Sequence, residues 1–301
     1  MIIGGLDTRV AMAQLNHLFD IEAIFKRRGR KVIAYEKVED VLFDLTVYDA
    51  SEKYYPLFHS TSFRQIVRVV ANRQIPVTAD DVLLECRDLD GNKVSKVLGK
   101  AVEFGLLVKQ DDRYLPSKPV GFGSTFEWYV ASVCMEELSS IAYWGVKVEQ
   151  MPGDYDVVVI RENQIGYIEC KSGKFSNITK DDIANFLLRE RVLAPQFSVY
   201  LVDGISRENL SGLVRFALEQ KLNYEFEIPG VMSTNVSLEA EEYKNFIRLI
   251  PINSFFVATR DSLASTLREV YEFLTLVYDR SLPTENMAMK DKFRQTRNEL
   301  T

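Results

Sequence analysis

The chain has 301 residues, of which 47% are hydrophobic and 27% charged, and its formal net charge is −6. This length and balance suit a globular protein of two or three compact units and exclude a disordered or membrane-dominated chain. No run approaches the roughly 18 to 20 uninterrupted apolar residues that span a bilayer, and the N-terminus lacks a basic region followed by an apolar segment and a small-residue cleavage site, so a cytoplasmic location is expected.

Residues 1–55 are the least legible part and are left without an assigned fold. "AMAQLNHLFDIEAIF" has helical spacing, "KVIAYEKVEDVLFDLTVYD" mixes strand and helix patterns, and the basic run "KRRGRK" at 26–31 lies between them. That run reads either as a phosphate contact or as a solvated helix end, with Gly29 stopping the helix and the cations favouring its C-terminus.

Residues 56–118 predict three short helices and a small hairpin, an order that resembles a winged helix-turn-helix. "TSFRQIVRVVANRQ" carries an apolar stripe at Phe63, Ile66, Val67 and Val70, and Thr78 precedes Asp80 and Asp81 as a helix cap would. The third helix ends near Gly105 and is followed by two extended runs around Asp111-Asp112. It would expose Lys93, Lys96 and Lys100 with Ser95, the kind of side chains that a recognition helix turns to phosphates or base edges. Winged helices also serve dimerisation or docking, so both roles stay open.

"SKPVGFG" at 117–123 reads as a linker into a unit spanning 119–280. Its opening elements run helix ("STFEWYVASVCMEELSS", with Ser124 or Thr125 as candidate caps), three strands ("IAYWGVKVEQ", "YDVVVI", "IGYIECK"), helix ("TKDDIANFLLRERVLA") and strand ("QFSVYLVDG"). The order is αβββαβ. A helix at "SRENLSGLVRFALEQK", an irregular region at 221–247, an extended stretch in "IRLIPINSFFVAT" and a long amphipathic helix follow, and the tail from 281 to 301 is polar and predicted to fray.

Chemistry gathers in "GDYDVVVIRENQIGYIECKSG". Side chains alternate along a strand, so Tyr167, Glu169 and Lys171 share one face. An antiparallel pairing through "RENQ" would set Asp156, at the start of the preceding strand, beside the end of "YIECK". Carboxylates gathered there suit a hard divalent cation, which prefers oxygen ligands. Two histidines, His17 and His59, and three scattered cysteines, Cys86, Cys134 and Cys170, argue against imidazole or thiolate metal centres and against a disulfide framework.

These residues resemble the PD-(D/E)XK, or restriction-endonuclease-like, nuclease superfamily: an acidic residue opening one core strand, here Asp156, then Glu, any residue and Lys on the next, here Glu169-Cys170-Lys171. The αβββαβ order from about 123 to 203 matches that family's core. The resemblance implies a Mg2+ or Mn2+ site formed by Asp156 and Glu169, with Glu127 on the first core helix joining it and Lys171 acting on the attacking water. The family often has proline directly before the aspartate, whereas this chain reads Pro152-Gly153-Asp154-Tyr155-Asp156. Either aspartate can therefore be the matching ligand; Asp156 is favoured and Asp154 is the alternate. Lys174, Lys180 and Arg189 are candidates to line a nucleic-acid groove, with a solvated helix face as the plain reading of Arg189 and Arg191. Trp128 and Tyr129 are expected in the core.

The expected function is a divalent-metal-dependent endonuclease acting on nucleic acid, DNA foremost, with a homodimer as the candidate assembly. Restriction-like and Mrr-like enzymes have a similar arrangement, as do the nuclease halves of CRISPR-associated effectors, although no nucleotide-sensing domain is legible here. The competing expectation is a winged-helix DNA-binding or assembly protein that keeps a nuclease fold without turnover.

Overall fold

The structure, a computed structural model, describes residues 21–46, 50–151, 153–161, 164–173, 175–205, 207–219, 224–225, 235–236, 239–243, 245–250, 253–259 and 262–278. The readings placed on 1–20, on the turn residues 162–163 and on the tail 281–301 fall outside these, as does Lys174. The fold is mixed α/β, and the chain divides between Arg161 and Glu162 into two compact units.

In the first unit, helix α1 is described over 21–27 and ends where Arg28 and Arg30 both donate to the carbonyl of Phe25, at 3.0 and 2.9 Å, with Gly29 at φ +69°. A left-handed residue just beyond the last turn is what a glycine supplies without a Cβ penalty. The basic run is thus a helix end locally. Strand β1 (Val32–Ala34) follows and pairs antiparallel with β5 (Ile141–Val148), which pairs antiparallel with β6 (Asp154–Arg161).

Helices α2 (Ala50–Phe58) and α3 (Thr61–Arg73) meet over a buried cation. Arg64 is fully buried, donates to the carbonyls of Phe58 and His59 and to the Thr61 hydroxyl, and lies 5.4 Å above the Tyr129 ring. A guanidinium satisfies the orphan carbonyls at the end of α2 where an apolar side chain would leave them bare.

Strand β2 (Val77–Thr78), α4 (Ala79–Glu85), α5 (Gly91–Glu103), β3 (Leu107–Gln110) and β4 (Arg113–Pro116) follow, the strands lying in the order β2-β4-β3. Thr78 caps α4 in a reciprocal box with Asp81, as its sequence position predicts, an arrangement of about 1 kcal/mol. Asp90 caps α5 by a single bond, accepting from the Lys93 backbone at 2.8 Å. Apolar positions Val94, Leu98 and Ala101 bury one face of α5, which leaves Lys93, Ser95, Lys96 and Lys100 on the exposed face.

The segment at 117–123 is tied down at several points: Lys118 donates to the carbonyl of Phe43, Gln74 to that of Val120, and Asn72 accepts from the Phe122 backbone. Helix α6 (Gly123–Glu136) then begins without a side-chain cap. Ser124 and Thr125 therefore do not cap it. They sit in its first turn, where Thr125 accepts from the Leu42 backbone at 3.0 Å and Ser124 donates to Glu36 at 3.3 Å, fastening the N-terminal segment to the helix. Trp128 and Tyr129 are in the core, as expected.

In the second unit, β7 (Gln164–Ser172), α7 (Lys180–Leu193) and β8 (Phe197–Asp203) form a parallel βαβ step. Gly166 lies opposite Phe197, and a Cβ there would strike the ring, so glycine is required for this close approach. Helix α7 opens on a second reciprocal box, Thr179 with Asp182. After α8 (Arg207–Glu219) and the short pair β9 (Tyr224–Glu225) and β10 (Asn235–Val236), the chain adds β11 (Glu239–Glu242), β12 (Phe246–Ile250) and β13 (Ser254–Thr259), then α9 (Leu263–Tyr278). Strand β13 lies parallel to β8, and β12 and β11 continue antiparallel beyond it. The extended stretch in "IRLIPINSFFVAT" is thus two strands that widen the sheet. Its register puts Ser254 beside Ser198 and Thr259 beside Asp203, whose carboxylate accepts from the threonine hydroxyl at 2.7 Å.

Candidate active site

The two halves of the expected constellation are built differently. In the first unit, Asp154 and Asp156 open β6 on one face, with Tyr155 turned the other way into the core. Asp156 is 8% exposed, whereas Asp154 is half-buried and pairs in register with Lys147 on β5. Glu127 is half-buried on α6. A further carboxylate, unread in the sequence, lies near Asp154: Glu36, just after β1, accepts from Ser124 and lies over Gly145. Gly145 adopts φ +58° between the registered pairs Trp144–Val157 and Val146–Tyr155, and a Cβ there would collide with the Glu36 side chain and come within 3.0 Å of its backbone nitrogen.

Burial pushes the Glu36 carboxyl above its ordinary value, helped by a hydrogen bond with Asp40 and by the charge of Asp154, while the Lys147 ammonium opposes the rise. The physical cause is partial desolvation reinforced by two neighbouring carboxylates, which together outweigh one lysine.

In the second unit the glutamate-x-lysine pair is assembled. Glu169 is 1% exposed, and its carboxylate lies 3.1 Å from the Lys171 ammonium. Lys171 also meets Asp182, again at 3.1 Å. On the other flank, Nη2 of Arg189 donates to both oxygens of Glu169 at 2.7 Å, and its Nε donates to the Tyr167 hydroxyl at 2.9 Å. The Tyr167 hydroxyl donates to Glu169 Oε2. Arg189 is thus held against β7, whereas Arg191 is exposed on α7. Burial works to raise the Asp182 carboxyl, but the Thr179 backbone and hydroxyl and the Lys171 ammonium outweigh it and hold Asp182 below the ordinary carboxylate range.

Asp182 was open to a sequence reading, as was the helix face that it shares with Arg189. They lie seven residues apart, which is two helical turns and one face, and Thr179-x-x-Asp182 is a capping signature whose aspartate faces back toward the preceding strand. Glu36 gave no such signal, because it reaches the group through the pairing of β1 with β5.

The donor types fit a hard divalent cation: carboxylate oxygens, with no thiolate or imidazole among the candidate residues. Among the described residues, however, no three His, Cys, Asp or Glu side chains are grouped so as to hold a metal ion. Around Glu169 in particular, the positions that a cation would take are filled by Arg189, Tyr167 and Lys171.

No family model matches the chain, and no curated protein does. Solved structures do. The protein VC1899 from Vibrio cholerae is 13% identical over 65% of this chain and 56% of its own, with a TM-score of 0.44. Can2 from Sulfobacillus thermosulfidooxidans, solved in complex with cyclic tetra-adenylate, is 12% identical over 84% of this chain and 60% of its own, with a TM-score of 0.45. The chain therefore spans somewhat over half the length of each.

Proposed function

We propose that the chain is a divalent-metal-dependent endonuclease of the PD-(D/E)XK type, hydrolysing phosphodiester bonds of nucleic acid, DNA foremost. The observation that carries this reading is the buried Glu169 with Lys171 beside it at 3.1 Å. A carboxylate in such a place is costly unless a function or a partner retains it. Asp156 and Glu169 would hold Mg2+ or Mn2+, with Glu127 and Asp154 as further oxygen donors. The cation would supply electrostatic stabilisation of the scissile phosphate and lower the pKa of water. Lys171 orients the attacking water through its ammonium and offsets negative charge that develops on the phosphoryl oxygens as water adds, the P–O ester bond breaks and the proton lost by the water is matched by one gained at the leaving oxygen, giving a phosphate and a hydroxyl end.

Residues 56–118 are proposed as a winged-helix-like module in which the exposed Lys93, Lys96 and Lys100 of α5 contact phosphates. A homodimer would pair two such sites for duplex cleavage.

One observation favours a second reading, a nuclease fold without turnover that binds DNA or assembles with other chains: the carboxylate of Glu169 is already neutralised from within by Arg189 and Lys171. Cleavage decides between them. Plasmid, single-stranded DNA and RNA incubated with Mg2+ or Mn2+ are expected to be cut by the native chain, with a loss of about a hundredfold or more in Glu169→Ala and Lys171→Ala. A well-folded native protein that cuts nothing, or variants that cut equally well, would favour the second reading.

A further inference from the structure

We infer that Arg189 occupies the divalent cation's place on Glu169 in the metal-free protein, so that cation binding at Glu169 requires the guanidinium to leave. This inference rests on the metal-dependent reading above and concerns what that reading must displace. An ionised carboxylate offers about four acceptor sites. On Glu169 they meet Nη2 of Arg189 at each oxygen, the Tyr167 hydroxyl at Oε2 and the Lys171 ammonium at Oε1. The acceptor capacity is therefore used up by the chain's own donors.

Charge gives the same answer. Glu169 has two cations, Lys171 and Arg189, in contact with its one carboxylate, so its negative charge is already met within the chain. At 1% exposure Glu169 cannot be left bare, since an unpaired buried charge costs several kcal/mol. One positive partner must replace another, and the exchange conserves the pairing.

Arg189 is the partner that must leave, because it alone touches both oxygens, and a cation on either one meets its positive charge at close range. Lys171 touches one oxygen and is also held by Asp182, whose own place is fixed by the Thr179 box. Tyr167 is neutral and its ring is fully buried against Phe186, so it can stay as a donor to the carboxylate without repelling a cation. Arg189 reaches the site from α7 on a long side chain that is 12% exposed, which gives it a route out toward solvent.

The test is calorimetric titration of the full chain, freed of metal by chelation, with Mn2+ as the probe. Native protein, Arg189→Gln, Arg189→Lys and Glu169→Gln are compared, with circular dichroism to establish folding. Arg189→Gln is expected to bind Mn2+ about tenfold or more tightly than the native chain, and its melting temperature to rise further on Mn2+ addition. Equal or weaker Mn2+ binding by a folded Arg189→Gln overturns the exchange. Should that variant not fold without metal, Arg189→Lys decides, since an ammonium cannot cover both oxygens as Nη2 does: about a threefold gain is expected, and no gain overturns the proposal. If the native chain binds Mn2+, Glu169→Gln abolishes that binding and neither arginine variant tightens it, the exchange alone is wrong. If no Mn2+ binding in native or arginine variants depends on Glu169, the metal-dependent reading falls, and the exchange with it.

Discussion

The carboxylates of the first unit and those of the second sit in opposite electrostatic surroundings. Glu36 is partly desolvated, with Asp40 and Asp154 as acidic neighbours and Lys147 as the opposing cation, and it is pushed toward its protonated form. Glu169 and Asp182 each have a cation in contact, and Asp182 is held below its ordinary range. Both groups are built at strand ends from the same residue types, so the contrast comes from which element covers each. The first is covered by the chain just after β1, which brings another acid. The second is covered by α7, which brings Arg189 two turns after Asp182. A sheet end rich in acids can thus be left with unmet charge, as a cation site requires, or closed internally, as a stable resting state requires.

The largest effect expected on this contrast comes from the backbone that lets Glu36 approach. Gly145→Ala places a Cβ against Glu36 at a left-handed position and should cost about 1–3 kcal/mol of stability in a denaturant melt. Gly145→Ala combined with Glu36→Ala should recover the part due to collision and keep the part due to φ +58°. An undiminished loss in the double variant would mean that Glu36 is not what Gly145 accommodates.

The two groups also respond to pH with opposite signs. The depressed Asp182 contributes stability that is complete above its unfolded value of about 4 and is lost as pH falls through its lower folded value. Glu36 has the opposite sign. Its raised folded value contributes stability that is complete below the unfolded value of about 4.3 and is lost as pH rises through the folded one. Asp182→Asn should therefore lower stability at neutral pH and lessen the loss of stability in acid below about pH 4. Glu36→Gln should stabilise the protein near neutrality, with the gain shrinking as the pH is brought down toward about 4. Parallel shifts from both variants at every pH would erase the contrast.

Much of the architecture was legible because its causes are local. The αβββαβ run, the Thr78 cap, the exposed lysines of α5 and the core placement of Trp128 and Tyr129 follow from periodicity, capping chemistry and turn residues. The failures are non-local. Ser124 and Thr125 have the side chains of caps, but their hydroxyls serve Glu36 and Leu42, more than 80 residues upstream. Strand β13 lies parallel to β8 across some 50 residues, an order that strand patterns do not encode. Within the candidate site, the pairing of Glu169 with Lys171 was readable from strand alternation, because residues two apart share a face. The pairing of Glu169 with Arg189 was not, because a charged residue on a helix reads as solvated until the helix is docked.

The proposed exchange makes Glu169 a cation ligand held in reserve by Arg189. Crystals of the full chain soaked in Mn2+, with anomalous scattering recorded at the manganese edge, test it most directly. An anomalous peak is expected within coordination distance of a Glu169 carboxylate oxygen, with the Arg189 guanidinium withdrawn from both oxygens. Saturating Mn2+ with Arg189 still seated on Glu169 and no peak beside that carboxylate would contradict it.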